Sequence, residues 1–239
     1  MFSTAHLRIV PAFVGWDDPG AAFTAVTQLG TMTAVLVFFR DDLRRITAAS
    51  LESIRDPSRR HELDARLGRY IVIGTIPIGL FGLAFKDQIE RGARDLYLIG
   101  TSLIVFGIVL LVAEVVGKRR RDLGSINGLD GLLVGLAQAL ALVPGVSRSG
   151  ATISAGLFLG FDRAAAARYS FLLSVPAVVL SGLLECAGIV TGDTARDVGL
   201  PPLAVATLVA GVGGTCRSRS CCASWSRTRR ASSSATGSR

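Results

Sequence analysis

Charged residues are scarce in this 239-residue chain. Asp, Glu, Lys and Arg together make up 18% of it, whereas half of its residues are hydrophobic. A soluble domain has about a quarter of its residues charged and does not contain several long apolar runs. The low charge content therefore excludes an ordinary soluble globular protein and favours an integral membrane protein.

Cysteine is also scarce, and its spacing excludes two common kinds of cysteine site. Three of the four cysteines, Cys216, Cys221 and Cys222, lie near the C-terminal end of the chain. They lack the C-x2-C spacing of a zinc site, and no disulfide framework is indicated. Cys186 lies within an apolar run, where it behaves as a small hydrophobic residue. A secretory signal is not expected either. The start of the chain shows no charged segment followed by an apolar run, and no cleavage site of the A-x-A kind is evident.

The basic charge is concentrated in one segment. The formal net charge is +8, but Thr215–Arg239 holds six arginines and no acidic residue, so the rest of the chain carries only +2. This distribution does not indicate a nucleic-acid partner. A low-complexity Arg/Ser string cannot bury a core, so we expect a disordered tail. Two origins are open: a basic tail near anionic lipid, or a translation frame shifted near Gly214.

Four apolar segments reach the ~20 residues that a helix needs to cross a bilayer. They are Ala21–Phe39, Gly68–Phe85, Leu96–Val116 and Tyr169–Val190. A fifth segment, Pro201–Gly214, begins like a span and ends early. The sequence therefore predicts an all-α polytopic membrane protein, with residues 1–214 as a single membrane domain.

Loop charge predicts the orientation of these spans. Arg40–Arg69 carries eight arginines against six acidic residues, and Lys118–Arg121 is a compact basic cluster. Lys86–Asp95, between them, balances three positive charges with three negative ones. The positive-inside rule then places the two basic loops in the cytoplasm and the balanced loop and the N-terminus outside. We expect Arg40–Arg69 to be a solvated, charged linker or a partly helical amphipathic loop.

Two shorter apolar runs, Leu132–Val143 and Ala155–Gly160, cannot span a bilayer alone. Pro144 and Gly145 interrupt the chain between them. Irregular backbone at membrane depth is tolerated only where it is buried in protein or lines a wet cavity. The pattern predicts a re-entrant helical hairpin over Asp130–Phe161, with its tip in the outer half of the membrane.

Arg148 lies at this tip and is the only basic residue of the predicted hairpin. A charge at membrane depth costs ~2.5–3.5 kcal/mol on insertion scales, so such a residue usually has a function. Hydroxyls and the N–H groups at the start of the descending helix lie nearby, and such a cluster suits a phosphate. An alternative role for Ser149 is simply the N-cap of that helix, which would still leave the N–H groups of Gly150 and Ala151 free at the tip. The alternative is a snorkelling arginine with hydroxyls that bond to their own helix. The accompanying donors are Ser147, Ser149, Thr152 and the N–H groups of Gly150 and Ala151.

A second polar group lies at the start of the chain. Ser3 and Thr4 closely precede His6, and the predicted topology puts all three on the same side as the tip. A neutral histidine there can act as general acid or base. The alternative is a pair of helix caps and a frayed terminal side chain. Gln28 and Gln138, each within an apolar run, add a loose internal similarity of the kind that inverted repeats produce.

Several motifs of the chain resemble one family. Pro144–Ser154 is similar, almost letter for letter, to the second signature of the bacterial undecaprenyl-diphosphate phosphatases linked to bacitracin resistance. Gln28-Leu29-Gly30, with the later Phe39–Leu43, resembles that family's first long helix, and Ser170–Pro176 resembles the helix after the signature. The resemblance covers roughly residues 2 to 213, and an uninterrupted motif of this length is specific.

The resemblance implies a hydrolase that removes the terminal phosphate of undecaprenyl diphosphate at the outer face of the cytoplasmic membrane. This reaction recycles the lipid carrier for peptidoglycan synthesis and confers bacitracin resistance. The implied fold is an inverted-repeat helical bundle with re-entrant hairpins, often a homodimer in a lipid bilayer. The implied catalytic residues are Arg148, His6 and Ser3, and the implied phosphate-binding residues are Ser147, Ser149, Gly150, Thr152 and Thr4.

The chain departs from the family at its start. The first family signature reads like E-x-x-x-E-x-x-P-x-S-S-T-x-H, and only its end, from Ser3 onward, is present. Both glutamates, natural ligands for Mg²⁺ or Ca²⁺, are absent, so the metal ligands are unknown. Of the acidic residues within spans, we expect Glu114 to form an interfacial ion pair, and Glu185 is a candidate to approach the site.

Two explanations for the missing glutamates are open. Either the start codon is misassigned, or the chain is an inactive fragment of the phosphatase. A transporter of a lipid phosphate or another anion is the alternative function, since re-entrant hairpins and half-helix N-termini also serve transport.

Overall fold

The computed structural model describes residues 39–85 and 96–190, together with Thr33, Leu36, Val37 and Gln88. Residues 41–181 belong to one compact unit, which carries the features described below. A second unit contains residues 19–40 and 182–239 and is described at few positions. The predicted span Ala21–Phe39, the short span Pro201–Gly214 and the Arg/Ser-rich tail therefore lie largely or wholly outside the described residues.

The described residues form α-helices and short 3-10 turns, with no strand. Three of the helices, within Leu63–Ala84, Tyr97–Val116 and Arg163–Ser181, are long and apolar enough to cross a membrane. The predicted all-α membrane class is confirmed. The helices are α1 (Arg40–Arg55), α2 (Leu63–Ala84), α3 (Leu96–Val116), α4 (Gly128–Ala139), α5 (Arg148–Phe158) and α6 (Arg163–Val190).

Two of the long helices present an apolar stripe that no described residue covers. The exposed positions recur every three or four residues, so each set lies on one face of its helix. Exposure of apolar stripes of this length to water is unfavourable, whereas contact with lipid chains carries no such penalty in free energy. The exposed residues are Val72, Ile76, Leu80 and Leu83 on α2, and Ile104, Ile108, Leu111 and Val115 on α3.

The observed helix bounds correct two of the predicted spans. α3 coincides with its prediction, but α2 begins at Leu63 rather than Gly68, and α6 begins at Arg163 rather than Tyr169. Both helices start among charged residues because polar partners are available there. At the start of α6, for example, the Asp162 carboxylate accepts a hydrogen bond from the Ala165 N–H at 2.6 Å. Arg163 and Arg168 therefore belong to a helix and not to a loop.

The predicted linker between the first two spans is largely helical. Its first part is α1, which has acidic residues in its first turn and Arg55 in its last, as the helix dipole favours. Ile46, Ala49 and Ser53 are buried along one side of α1, while charged residues occupy the other. The solvated linker is therefore wrong for this segment, and the amphipathic helix is confirmed.

Helices α4 and α5 are the two arms of a helical hairpin. A 3-10 turn over Leu140–Leu142 extends the first arm. The arms have 12 and 11 residues, or about 18 and 16 Å at 1.5 Å per residue, so neither could span a bilayer alone. A capping box between Asn127 and Asp130 fixes the start of α4.

Glycine allows α4 to approach α2 very closely. A Cβ added to Gly135 would lie 2.5 Å from the Gly74 Cα and closer still to its carbonyl oxygen. A Cβ added to Gly74 of α2 would in turn lie 2.8 Å from the carbonyl oxygen of Gly131, one turn earlier on α4. The first arm of the hairpin is therefore held against α2 by direct contact between backbones.

The base of the hairpin is fixed by Arg121. Its guanidinium forms two hydrogen bonds with the buried Asp130 carboxylate, at 3.0 and 2.6 Å, and lies over the Phe161 ring. The hydrogen bonds to Asp130 raise the pKa of Arg121. The Arg121 N–H donates to the Gly160 carbonyl at 2.9 Å, and its own carbonyl accepts from the Asp162 N–H at 2.8 Å. Both arms are thereby joined at the end away from the tip.

The ion pair predicted for Glu114 is confirmed. Its carboxylate accepts hydrogen bonds from the Arg163 Nε, at 2.8 and 3.0 Å, and from the Arg119 Nη2 at 2.5 Å. Glu114 thus joins the end of α3 to the start of α6, at the same end of α3 as the basic cluster.

Candidate functional site

The tip of the hairpin lies against the first turn of α3. Gly145 has a φ of +92°, which disfavours any residue with a side chain, and a Cβ there would lie 2.5 Å from the Ile99 carbonyl oxygen. The basic cluster Lys118–Arg121 follows the other end of α3. Val116 is separated from Ile99 by about 25 Å at 1.5 Å per residue. The tip and the basic cluster are therefore at opposite ends of this helix.

Ser147, and not Ser149, is the N-cap of α5. Its backbone is extended, its Oγ accepts from the Gly150 N–H at 3.3 Å, and its carbonyl accepts from the Ala151 N–H at 2.8 Å. The alternative in which Ser149 caps the helix is wrong, and the N–H groups of Gly150 and Ala151 are not free. The chain enters the helix two residues earlier, so Ser149 already belongs to the first turn. In the first turn of α5, the backbone N–H groups of Arg148 and Ser149 have no partner among the described residues.

The Arg148 guanidinium is half-buried and makes no hydrogen bond or ion pair within the described part of the chain. The hydroxyl oxygens of Ser147 and Ser149, its neighbours in sequence, are 3.4 Å apart. A desolvated cation without a partner is unfavourable, and an anion at this position would relieve that cost. Residues 147–149 thus gather a guanidinium, two open N–H groups and two hydroxyls, which is the donor set for a phosphate.

Thr152 lies a turn deeper than these donors. Its side chain is 1% exposed, and its hydroxyl donates to the Arg148 carbonyl at 2.8 Å. The same hydroxyl is 2.5 Å from the Ser170 Oγ on α6. This geometry favours a supporting role, in which Thr152 holds the Arg148 backbone from inside. Direct contact of Thr152 with phosphate stays a prediction.

Sequence reasoning did not include two buried polar residues in the site. Ser170 gives no signal of its own, because a serine in an apolar helix often bonds only to its own backbone. Gln138 was noticeable in the sequence, because it is the only amide in its apolar run. Its side chain is completely buried, and both amide atoms lack a partner among the described residues.

The N-terminal part of the predicted site lies outside the described residues. This applies to Ser3, Thr4 and His6, and also to the side chain of Glu185. The structure therefore brings together the hairpin residues of the predicted site, and the assignments of the N-terminal residues stay predictions.

The described residues do not fit a metal ion. Across 39–85 and 96–190, no three His, Cys, Asp or Glu side chains lie close enough together to hold one. Around the tip, the polar groups are a cation, hydroxyls and N–H donors, whereas Mg²⁺ and Ca²⁺ take carboxylate and carbonyl oxygens. This end of the hairpin suits an anion, and the chemistry below uses only the chain's own residues.

Comparison with known proteins agrees with the motifs. The family model described as "Bacitracin resistance protein BacA" matches residues 1–227. The undecaprenyl-diphosphatase of a Nocardioides species is 54% identical over 212 residues, which cover 89% of this chain and 77% of that protein. Undecaprenyl-diphosphatase 2 of Streptomyces coelicolor is 50% identical over 220 residues, covering 87% and 75%. The undecaprenyl-diphosphatase of Pseudarthrobacter chlorophenolicus is 51% identical over 214 residues, covering 89% and 77%.

Proposed function

The chain belongs to the bacitracin resistance protein BacA family, and from that premise we propose that it hydrolyses undecaprenyl diphosphate to undecaprenyl phosphate and phosphate. Relatives that are about half identical over most of their length bear the name undecaprenyl-diphosphatase. The reaction returns the lipid carrier to peptidoglycan synthesis. The family description adds resistance to bacitracin as its consequence for the cell.

The observation that carries this proposal is the Arg148 guanidinium at the N-terminus of α5, which has no partner in the part of the chain that the structure describes. A structural arginine would be paired within the described chain, as Arg121 and Arg163 are. Arg148 instead has donors as its neighbours in sequence and no acceptor among the described residues. This arrangement is complementary to the terminal phosphate of a diphosphate.

In the proposed mechanism, the tip holds the terminal phosphoryl group. Negative charge spreads over its oxygens in the transition state, where Arg148 and the open N–H groups of Arg148 and Ser149 stabilise it. A nucleophile attacks phosphorus in line with the bridging oxygen. The bond from phosphorus to that oxygen breaks, and undecaprenyl phosphate leaves with the electron pair.

Ser3 and His6 supply or activate the nucleophile in this proposal, and two routes are open. In one, the Ser3 Oγ attacks while neutral His6 takes its proton, and water then hydrolyses the phosphoserine. In the other, water attacks, His6 takes the proton from water, and Ser3 and Thr4 orient the phosphate. A burst of phosphorylated protein in rapid-quench experiments distinguishes the first route from the second.

We place the site at the outer face of the cytoplasmic membrane of a bacterium. This placement is supported by the positions of the hairpin tip and of the basic cluster at opposite ends of α3, combined with the positive-inside rule. The polyprenyl chain of the substrate would lie along apolar helix faces such as those of α2 and α3.

Phosphate release by the purified chain in detergent micelles tests the proposal. Micelles enclose no compartment, so turnover there separates a hydrolase from a transporter. We expect Arg148→Ala to lower kcat/KM about 100- to 1,000-fold, because it removes a preorganised charge at the transition state. Arg120→Ala, at an exposed arginine of the basic cluster, is the matched control and should keep wild-type activity. Undiminished phosphate release by Arg148→Ala would overturn the scheme.

A further inference from the structure

Helix α1 packs against the side of α2 at Gly68. A Cβ added to Gly68 would lie 3.2 Å from the Ser50 Cβ and 3.3 Å from the Ile46 Cγ2, and the Ser50 hydroxyl would be closer still. The two helices can therefore approach this closely only because Gly68 has no side chain. An ion pair of 2.7 Å between the Arg45 Nε and the Asp64 carboxylate joins the same two helices. Helix α1 thus has a fixed position beside the start of α2.

These contacts lie at the level where the apolar parts of the long helices begin. Gly68 opens the apolar run of α2, and Val72, the first residue of its exposed apolar stripe, follows about 6 Å later along the helix. On α6, Arg168 pairs with Asp42 of α1 at 2.7 Å, and the apolar run starts at the next residue, Tyr169. The head-group region extends about 5–7 Å beyond the hydrocarbon core on each side of a bilayer. Helix α1 therefore lies at the depth of the lipid head groups.

The outward face of α1 combines arginines with large apolar side chains. Leu51 and Ile54 are 59% and 73% exposed, on the side of the helix opposite the buried residues. Arg44 and Arg55 are also exposed, and their spacing of seven and four residues from Leu51 puts them on the same face. Neither arginine makes a hydrogen bond or an ion pair within the part of the chain that the structure describes. This face therefore offers apolar surface and two positive charges to a partner.

The chemistry of this face is complementary to an anionic lipid surface. Glu52, the acidic residue between Leu51 and Arg55, is engaged by Arg59 and does not neutralise the arginines. A helix with apolar and basic residues on one side binds in the plane of a bilayer, with its apolar side chains at the boundary between head groups and acyl chains. Basic residues near that boundary attract anionic phospholipids. Scattered apolar residues on a soluble helix would have no such meaning, but α1 is held at head-group depth.

We propose that α1 is an interfacial helix, which inserts Leu51 and Ile54 into the bilayer surface and binds the phosphates of anionic phospholipids through Arg44 and Arg55. The occupant of this face is thus the lipid surface itself, which continues from the apolar stripe of α2. The inference does not depend on hydrolysis of a diphosphate, because the face lies at the end of α2 where the basic segments gather and the hairpin tip lies at the other end of the bundle.

Quenching by lipids tests the depth of the helix. In a chain whose four native cysteines are replaced by serine, bimane is attached to Leu51→Cys or Ile54→Cys in bilayer nanodiscs of phosphatidylcholine and phosphatidylglycerol. Phosphatidylcholine with a nitroxide on its head group should quench both positions severalfold more strongly than His61→Cys. The matched control His61 is also exposed, but it lies in the 3-10 turn before α2. Iodide in the water should quench in the opposite order.

Two other results of this experiment would overturn the inference. Equal quenching by the nitroxide lipid at all three positions, with strong quenching by iodide, would show that the outward face of α1 contacts water. Protection of Leu51→Cys and Ile54→Cys from both quenchers would show that protein covers the face, for example a second copy of the chain.

Lipid retention tests the role of the arginines. Native mass spectrometry of the purified chain, with phosphatidylglycerol and phosphatidylcholine in competition, measures which lipid stays bound. We expect the double variant Arg44→Gln, Arg55→Gln to bind phosphatidylglycerol about 5-fold more weakly per arginine, with no change for phosphatidylcholine. The double variant Arg44→Lys, Arg55→Lys keeps the charge and should retain the anionic lipid. Undiminished retention of phosphatidylglycerol by the glutamine variant would overturn the assignment of the arginines, whether or not the chain releases phosphate.

Discussion

Thr152 and Ser170 form a buried pair of hydroxyls in which each group depends on the other. The Thr152 hydroxyl donates to the Arg148 carbonyl and accepts from Ser170, and both side chains are 1% exposed. We predict that Thr152→Val destabilises the chain by about 1–3 kcal/mol, because it leaves the Ser170 hydroxyl buried without its partner. It should also lower phosphate release, since it frees the backbone of Arg148. Thermal unfolding and kcat/KM measure the two effects.

A double substitution provides the control for this pair. Thr152→Val combined with Ser170→Ala leaves no stranded hydroxyl, so its stability should exceed that of Thr152→Val alone. Thr152→Ser keeps the hydroxyl and should retain most of the activity. Strictly additive losses in the double variant would show that the two hydroxyls do not act as a pair.

At the scale of helices, the contact between α2 and α4 depends on the absence of side chains. A Cβ at Gly135 would meet the Gly74 backbone, which cannot move aside as a flexible side chain could. We predict that Gly135→Ala costs about 1–3 kcal/mol in unfolding free energy, as overpacking does. Gly79→Ala is the matched control: a Cβ there meets nothing within 4 Å, and alanine stabilises a helix interior by about 0.5–1 kcal/mol. Equal stability of the two variants would contradict the close packing.

The base of the hairpin depends on the ion pair between Arg121 and Asp130. The Asp130 side chain is almost fully buried, so removal of Arg121 would leave a carboxylate without its counter-charge. We predict that Arg121→Ala destabilises the chain by about 3 kcal/mol, at the lower end for a buried pair because Arg121 itself is partly exposed. Arg121→Lys keeps the charge but loses the two-pronged hydrogen bond and the contact with the Phe161 ring, so it should recover only part of the stability. Full recovery by lysine would show that charge alone matters.

At the scale of the whole chain, sequence patterns predicted what depends on local composition. α3 was predicted with its correct bounds, and Pro144 and Gly145 marked the turn of the hairpin, because apolar runs and helix breakers act locally. The start of α6 was missed because charged residues such as Arg163 and Arg168 are typical of a loop between spans. In the structure Asp162 caps this helix, and Arg163 pairs with Glu114, 49 residues earlier. The N-cap was misplaced because Ser147 and Ser149 are equally good caps by residue type.

For the candidate site too, residues close together in sequence were predicted, and contacts between distant residues were not. The donors at the tip are contiguous in sequence, so Arg148 and its neighbouring serines could be found directly. The partnership of Thr152 with Ser170, and the burial of Gln138 without a partner among the described residues, depend on which helix faces meet. Nothing in the local sequence specifies those contacts.

The orientation of the chain in the membrane yields the last prediction. The tip and the basic cluster lie at opposite ends of α3, and Ser147 and Lys118 are both exposed. In a background in which serine replaces the four native cysteines, a membrane-impermeant maleimide should label Ser147→Cys in intact cells, because the anion site needs access to water from outside. Lys118→Cys should be labelled only after the cells are permeabilised, as the positive-inside rule requires. Labelling of both variants only after permeabilisation would move the site to the cytoplasmic side. It would leave the phosphate chemistry of the tip intact but exclude recycling of the lipid carrier at the outer face.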